Sequence, residues 1–270
     1  MNRRVCVRLA GTLAVVLAAS VSAAQFQRRW PDRYVPADSY TGSFLFCRIS
    51  FRNQRGGDGG GWDVDTDRAD VNLSFRLAEL TKTPISYDPA NQIRHIIIRL
   101  TDPELYRCPF IMMTEPGGAF LDPAEAAALR DYLQKGGFLW ADDFWGERAW
   151  DIWAGELAKA LPSAQYPIVD LPIEHELFHA LYDVKDAPQI PSLGFWLGTG
   201  GGTSERLMDS RVVHVRAVLD DHQRIMVLMT HNTDFGDAFE RETFDRGYFL
   251  EFAARGYAFG VNALIYAMTH

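Results

Sequence analysis

Three short stretches of this 270-residue chain carry side chains able to do acid, base or metal chemistry. The first is His175-Glu176-Leu177-Phe178-His179, which satisfies the H-E-x-x-H pattern. On an α-helix, residues four apart share a face, so His175 and His179 can hold zinc while Glu176 activates a metal-bound water. The competing reading is a hydrogen-bonded structural pair, because Pro172 stands just upstream and no third ligand is evident beyond Asp183 or Glu205. The second stretch is Asp142-Asp143, adjacent acids at the end of an apolar run, where an α/β sheet places metal ligands or a general base. Strand alternation lets only one of the two face the crevice, the other capping a helix or bonding backbone amides. The third, residues 231–240, puts His231, Asn232, Asp234, Asp237 and Glu240 around Gly236, a set suited to a cation or a polar ligand, or to capping a helix.

The surrounding sequence implies elements that position these groups. Short, continuously apolar runs at 44–51, 95–100, 109–114 and 138–141 read as strands buried on both faces. Helical periodicity spans 67–81, and 122–135 opens with Asp122-Pro123 and closes at Gly136-Gly137. A helix over 147–161 and a strand over 166–170 follow. Strand and helix alternating at this spacing predict a mostly parallel sheet with right-handed crossovers, an α/β sandwich of three layers. Residues 211–219 and 224–230 read as a hairpin, and 244–268 as a closing helix broken near Gly256. The glycine-rich stretch 55–62 lacks the Gly-Lys-Ser/Thr ending of a phosphate loop and reads as a mobile flap. If the three acid and histidine stretches all follow strands, they meet in one crevice.

Residues 1–24 hold three arginines, then an apolar run too short to span a bilayer, then small residues, the pattern of a cleavable secretory signal with its site after Ala23 or Ala24. The expected location is therefore periplasmic or secreted, with an arm or linker over 25–42, one α/β domain over 43–270, and no transmembrane segment after cleavage. The leader contains three of the 27 basic residues and no acid, leaving 24 basic against 35 acidic groups. A polyanion such as nucleic acid is repelled by that balance. Cys47 and Cys108 are read as two buried thiols on separate strands, with pairing in an oxidising compartment as the alternative.

Pro109-Phe110, Gly136-Gly137-Phe138-Leu139 with Asp142-Asp143, the 174–179 block, and 231–240 with Asn262 and Tyr266 together resemble a bacterial domain family of unknown function, DUF4159. The resemblance implies a fold like that of the class I glutamine amidotransferases, a flavodoxin-like sandwich, over roughly residues 43 to 269. Amidotransferases place a nucleophilic cysteine in a strand-to-helix turn, and the matching turn, 142–146, holds no Cys, Ser or Thr. The expectation is a non-catalytic binding or accessory module whose partner is a small molecule or an envelope protein. The alternatives are a zinc hydrolase on His175, Glu176 and His179, and a scaffold subunit of an envelope complex. No cofactor is firmly implied; zinc or another divalent metal is the candidate, with Glu176, Asp142 and Asp143 as catalytic candidates.

Overall fold

Alternation of side chains along five parallel strands divides the interior of this protein into two apolar layers. The computed structural model describes residues 33–270, so the expected leader and most of the expected arm lie outside the described residues. The strands are β1 (Phe46–Ile49), β2 (Arg52–Asn53), β3 (His95–Ile98), β4 (Phe110–Thr114), β5 (Ala119–Phe120), β6 (Phe138–Phe144), β7 (Ile168–Asp170), β8 (His214–Leu219) and β9 (Ile225–His231). The longer helices are α1 (Arg68–Thr81), α2 (Pro123–Gln134), α3 (Gly146–Ala160), α4 (Leu193–Thr199), α5 (Phe235–Glu240) and, after a helical turn and a π-helical segment at Phe249–Ala253, α6 (Ala254–Thr269). The main sheet runs β3-β1-β4-β6-β9-β8-β7. From β3 to β9 every pairing is parallel, and β8 and β7 follow antiparallel.

Phe110, Met112, Phe138 and Trp140 project into one core with residues of α1, α5 and α6. Their neighbours Ile111, Met113, Leu139 and Ala141 project into the other, under α2 and α3. The chain is thus mixed α/β, with a large, mostly parallel central sheet and flanking helices. α2 forms as its sequence suggests: Asp122 accepts from the amides of Ala124 and Glu125, and Glu125 accepts from the Asp122 amide in return.

Three local expectations are corrected. α6 is unbroken at Gly256, because that glycine lets the helix approach α5: a Cβ there would lie 2.9 Å from the Ala238 Cβ. The irregularity falls upstream, in the π-helical segment. The glycine stretch is packed, with Asp58 N donating to Gly117 O at 3.0 Å and Gln54 N to Gly118 O at 2.9 Å. Cys47 and Cys108, expected as separate thiols, are joined as a disulfide that β1 and the approach to its neighbour β4 bring within reach.

The sequence separation of 61 between the cysteines makes that crosslink consequential. Closing a loop of this size removes about 4 kcal/mol of chain entropy from the unfolded state, of which about 2–4 kcal/mol usually survives. Cys47→Ala/Cys108→Ala is expected to lower Tm by about 5–15 °C at this chain length. An unchanged melting curve would mean that the crosslink contributes nothing.

Candidate metal centre

β6 carries the first part of the site. Its register against β9 shifts between Ala141 and Phe144, and Asp143 adopts φ +59°. Such a bulge breaks the in-out alternation. Both aspartates are buried, but only Asp143 joins the acidic triads, while Asp142 bonds backbone amides. Asp142 Oδ2 accepts from the amides of Phe235 (2.9 Å) and Gly236 (3.1 Å), and its Oδ1 from the Thr230 hydroxyl at 2.5 Å. Burial outweighs those bonds and pushes the Asp142 carboxyl up to about 7. Asp142 thus holds the start of α5 in place, while Asp143 lies among other acids.

α5 brings the second part. Asp234 caps the helix, its Oδ1 accepting from Asp237 N at 2.6 Å. Asp237 accepts from Leu193 N at 2.6 Å and from Arg241 Nε at 3.1 Å. The third part, Asp65, comes from the loop after the glycines and was not among the residues singled out from sequence. The alternating acids Asp63, Asp65 and Asp67, separated from a glycine run only by Trp62, are the signal that could have found it. Its loop is anchored by Arg48 of β1, which is fully buried and donates to Val64 O and Trp62 O, both at 3.2 Å, and to Thr114 Oγ1. The same guanidinium pairs with Asp70 of α1, which also bonds His95 at 2.8 Å. Burial would raise Asp70, but Arg48 and His95 outweigh it and hold the carboxyl below its usual range.

Asp65, Asp143 and Asp234 converge, with one carboxylate oxygen from each lying within 4.8 Å of the others. A second triad of the same tightness joins Asp65 to Asp237 and Glu240. Asp65, Asp143, Asp234 and Asp237 are each at most 7% exposed. All have carboxyls raised above the usual range by burial; neighbouring acids add to this, Asp237 raising Asp65, Glu115 and Asp65 raising Asp143, Asp143 and Asp65 raising Asp234, and Glu205 raising Asp237 against the pull of Arg241. Glu115, which accepts from Gly61 N at 2.5 Å, adds to the negative field on Asp143. Asp65 Oδ2 is buried with no hydrogen-bond partner, and it lies where a Cβ on Gly236 would come within 2.4 Å of it and within 3.4 Å of Asp234 Oδ1. Like-charged, desolvated carboxylates in contact repel strongly unless protonated or bridged by a cation.

The remaining candidates serve other ends. His231 bonds Gly146 O at 3.0 Å through Nε2 and stacks on Phe144, with burial pushing its imidazole down to about 4. Asn232, at φ +64°, accepts from Gly146 N at 2.8 Å and donates to Val212 O at 2.7 Å. The two fix the turn between β6 and α3. The 175–179 segment is a short 3-10 turn in which His175 acts as the cap, so the i, i+4 geometry of an α-helix never forms. His175 accepts from Leu177 N, Glu176 pairs with His270, and His179 bonds both Asp183 and Ile173 O. His175 packs on Tyr266, whose hydroxyl accepts from Ile225 N at the start of β9, whereas the acids sit beyond the end of that strand. At about 3.3 Å per residue, β9 separates the two by roughly 20 Å, so the expected single crevice excludes His175.

No helix among the described residues is long and apolar enough to cross a membrane. Among curated proteins, none matches the chain. A family model described as a domain of unknown function, DUF4159, matches residues 48–268, a span that takes in every carboxylate of both triads. Over that span, which is most of its length, the chain belongs to the DUF4159 family.

Proposed function

We propose that this protein is an exported binding module for a hard divalent cation, held by Asp65, Asp143 and Asp234 at the carboxyl edge of the parallel sheet. The observation that carries the reading is Asp65 Oδ2, buried and unpartnered within reach of two other buried carboxylates. An all-oxygen donor set suits Mg²⁺, Ca²⁺ or Mn²⁺ better than zinc, which favours nitrogen and sulfur. Ligands in open α/β sheets bind at this edge. The amidotransferase-like reading is supported by the left-handed Asp143 at a strand-to-helix turn, where amidotransferases place a cysteine. This chain's Cys108 is in a disulfide instead, which favours binding over acyl transfer and also suits an oxidising compartment.

The test is Mn²⁺ binding to the purified full chain, followed by electron paramagnetic resonance of free ion against total ion. Wild type is expected to retain Mn²⁺, and Asp143→Asn to weaken binding at least 10-fold. Equal and negligible retention by both proteins would sink the reading.

A further inference from the structure

The two carboxylate triads share a single member. Asp65, Asp143 and Asp234 form one, Asp65, Asp237 and Glu240 the other, and within each the ligating oxygens lie within 4.8 Å of one another. A carboxylate has two oxygens, each able to bind a different ion. Asp65 is suited to that use: it is 7% exposed, and its Oδ2 takes no hydrogen bond from any neighbour. Three of the four carboxylates at the other vertices are braced by hydrogen bonds. Trp145 Nε1 donates to Asp143 at 2.9 Å, the Asp237 amide donates to Asp234, and Leu193 N and Arg241 donate to Asp237. Such outer bonds orient ligands while leaving lone pairs for an ion.

Charge points the same way. Arg48 is engaged by Asp70, and Arg241 lies against Asp237 and Glu240. One divalent ion together with Arg241 offsets three of the five carboxylate charges in the two triads. A second ion would offset the remaining two. The triads also differ in access, since Asp143 and Asp234 are buried while Glu240 is only partly so.

Resting on the cation-binding reading above, we infer that the site holds two divalent ions bridged by Asp65, an inner one on Asp143 and Asp234 and an outer one on Asp237 and Glu240. Ions sharing a bridging carboxylate sit about 3.5–4 Å apart, as in the two-metal sites that grip an oxygen anion between them. The outer ion, reached past the partly exposed Glu240, is the one that meets an incoming ligand.

Mn²⁺ titration of the full chain with electron paramagnetic resonance separates the possibilities, because two ions at this spacing give a spin-coupled spectrum and one ion does not. Wild type is expected to bind two Mn²⁺ with the coupled signal. Glu240→Gln should keep one, uncoupled, and melt like wild type in chelator. Glu242→Gln, whose parent side chain is held by Arg76, should keep both. A single uncoupled Mn²⁺ in wild type, whether or not Glu240→Gln removes it, overturns the bridged pair and leaves the single-ion reading standing. No Mn²⁺ in wild type overturns both.

Discussion

Stripped of divalent ions at pH 8, the Asp65→Asn variant is expected to melt above the wild type, although it removes a group from the heart of the molecule. Most substitutions of buried residues destabilise. Here the wild-type side chain is a desolvated carboxylate with no hydrogen bond to Oδ2, pressed against other acids. Asparagine has nearly the same shape and tolerates the φ of +62° at this position. Removing one uncompensated charge should stabilise the ion-free protein by about 2 kcal/mol, or about 4–8 °C in a chain of this size. The order reverses on adding cation. Wild type gains about 2.7 kcal/mol at 100 times its dissociation constant, and the variant gains little. Differential scanning calorimetry in chelator and in excess Mg²⁺ or Mn²⁺ reads both effects. A variant that melts lower in chelator yet still responds fully to the ion would show that Asp65 is a structural acid rather than a ligand.

The second large effect is the pH dependence of the ion-free protein. Asp65, Asp143 and Asp234 are raised well above the ordinary range by burial and mutual repulsion, and Asp142 is raised to about 7 by burial. A carboxyl whose folded pKa exceeds its unfolded value near 3.9 stabilises the fold fully only below that value. The contribution is lost as pH rises through the folded pKa. His231 acts in the opposite sense: its folded pKa near 4 lies below the unfolded value near 6.5, so its contribution is present above 6.5 and lost as pH falls toward 4. Several acids oppose one histidine, so Tm in chelator should fall as pH rises from about 5 to 8. Saturating cation, which binds the ionised form, should flatten or invert that slope. A chelated protein whose Tm rises steadily across this range would mean that the carboxylates are not held in repulsive contact.

Much of the framework was legible because it rests on periodicity. Apolar runs at 95–100, 109–114 and 138–141 became strands of a mostly parallel sheet, and acids that follow such strands reached its carboxyl edge. Asp234, Asp237 and Glu240 were legible for that reason. The bulge that brings Asp143 to the acidic cluster leaves no periodic signature, since it depends on register against β9. Asp65 was missed because its loop has no period, and only the anchoring by Arg48 across the sheet brings it to the site. The H-E-x-x-H match misled for the opposite reason: its spacing carries meaning only on an α-helix, and these residues form a 3-10 turn. The disulfide depends on which strands become neighbours, which short-range patterns do not encode.

Asp65, Asp143 and Asp234 belong to segments that are far apart along the chain and meet only when β1, β6 and β9 have taken their places in one sheet. The acid cluster therefore has no precursor in any fragment of the polypeptide. On the proposed cation-binding reading, an ion bound there would be retained only by a molecule whose strand order is already complete, a checkpoint on assembly. Occupancy would then report structural maturity as well as the supply of metal, since a chain halted midway through folding would have nowhere to keep the ion.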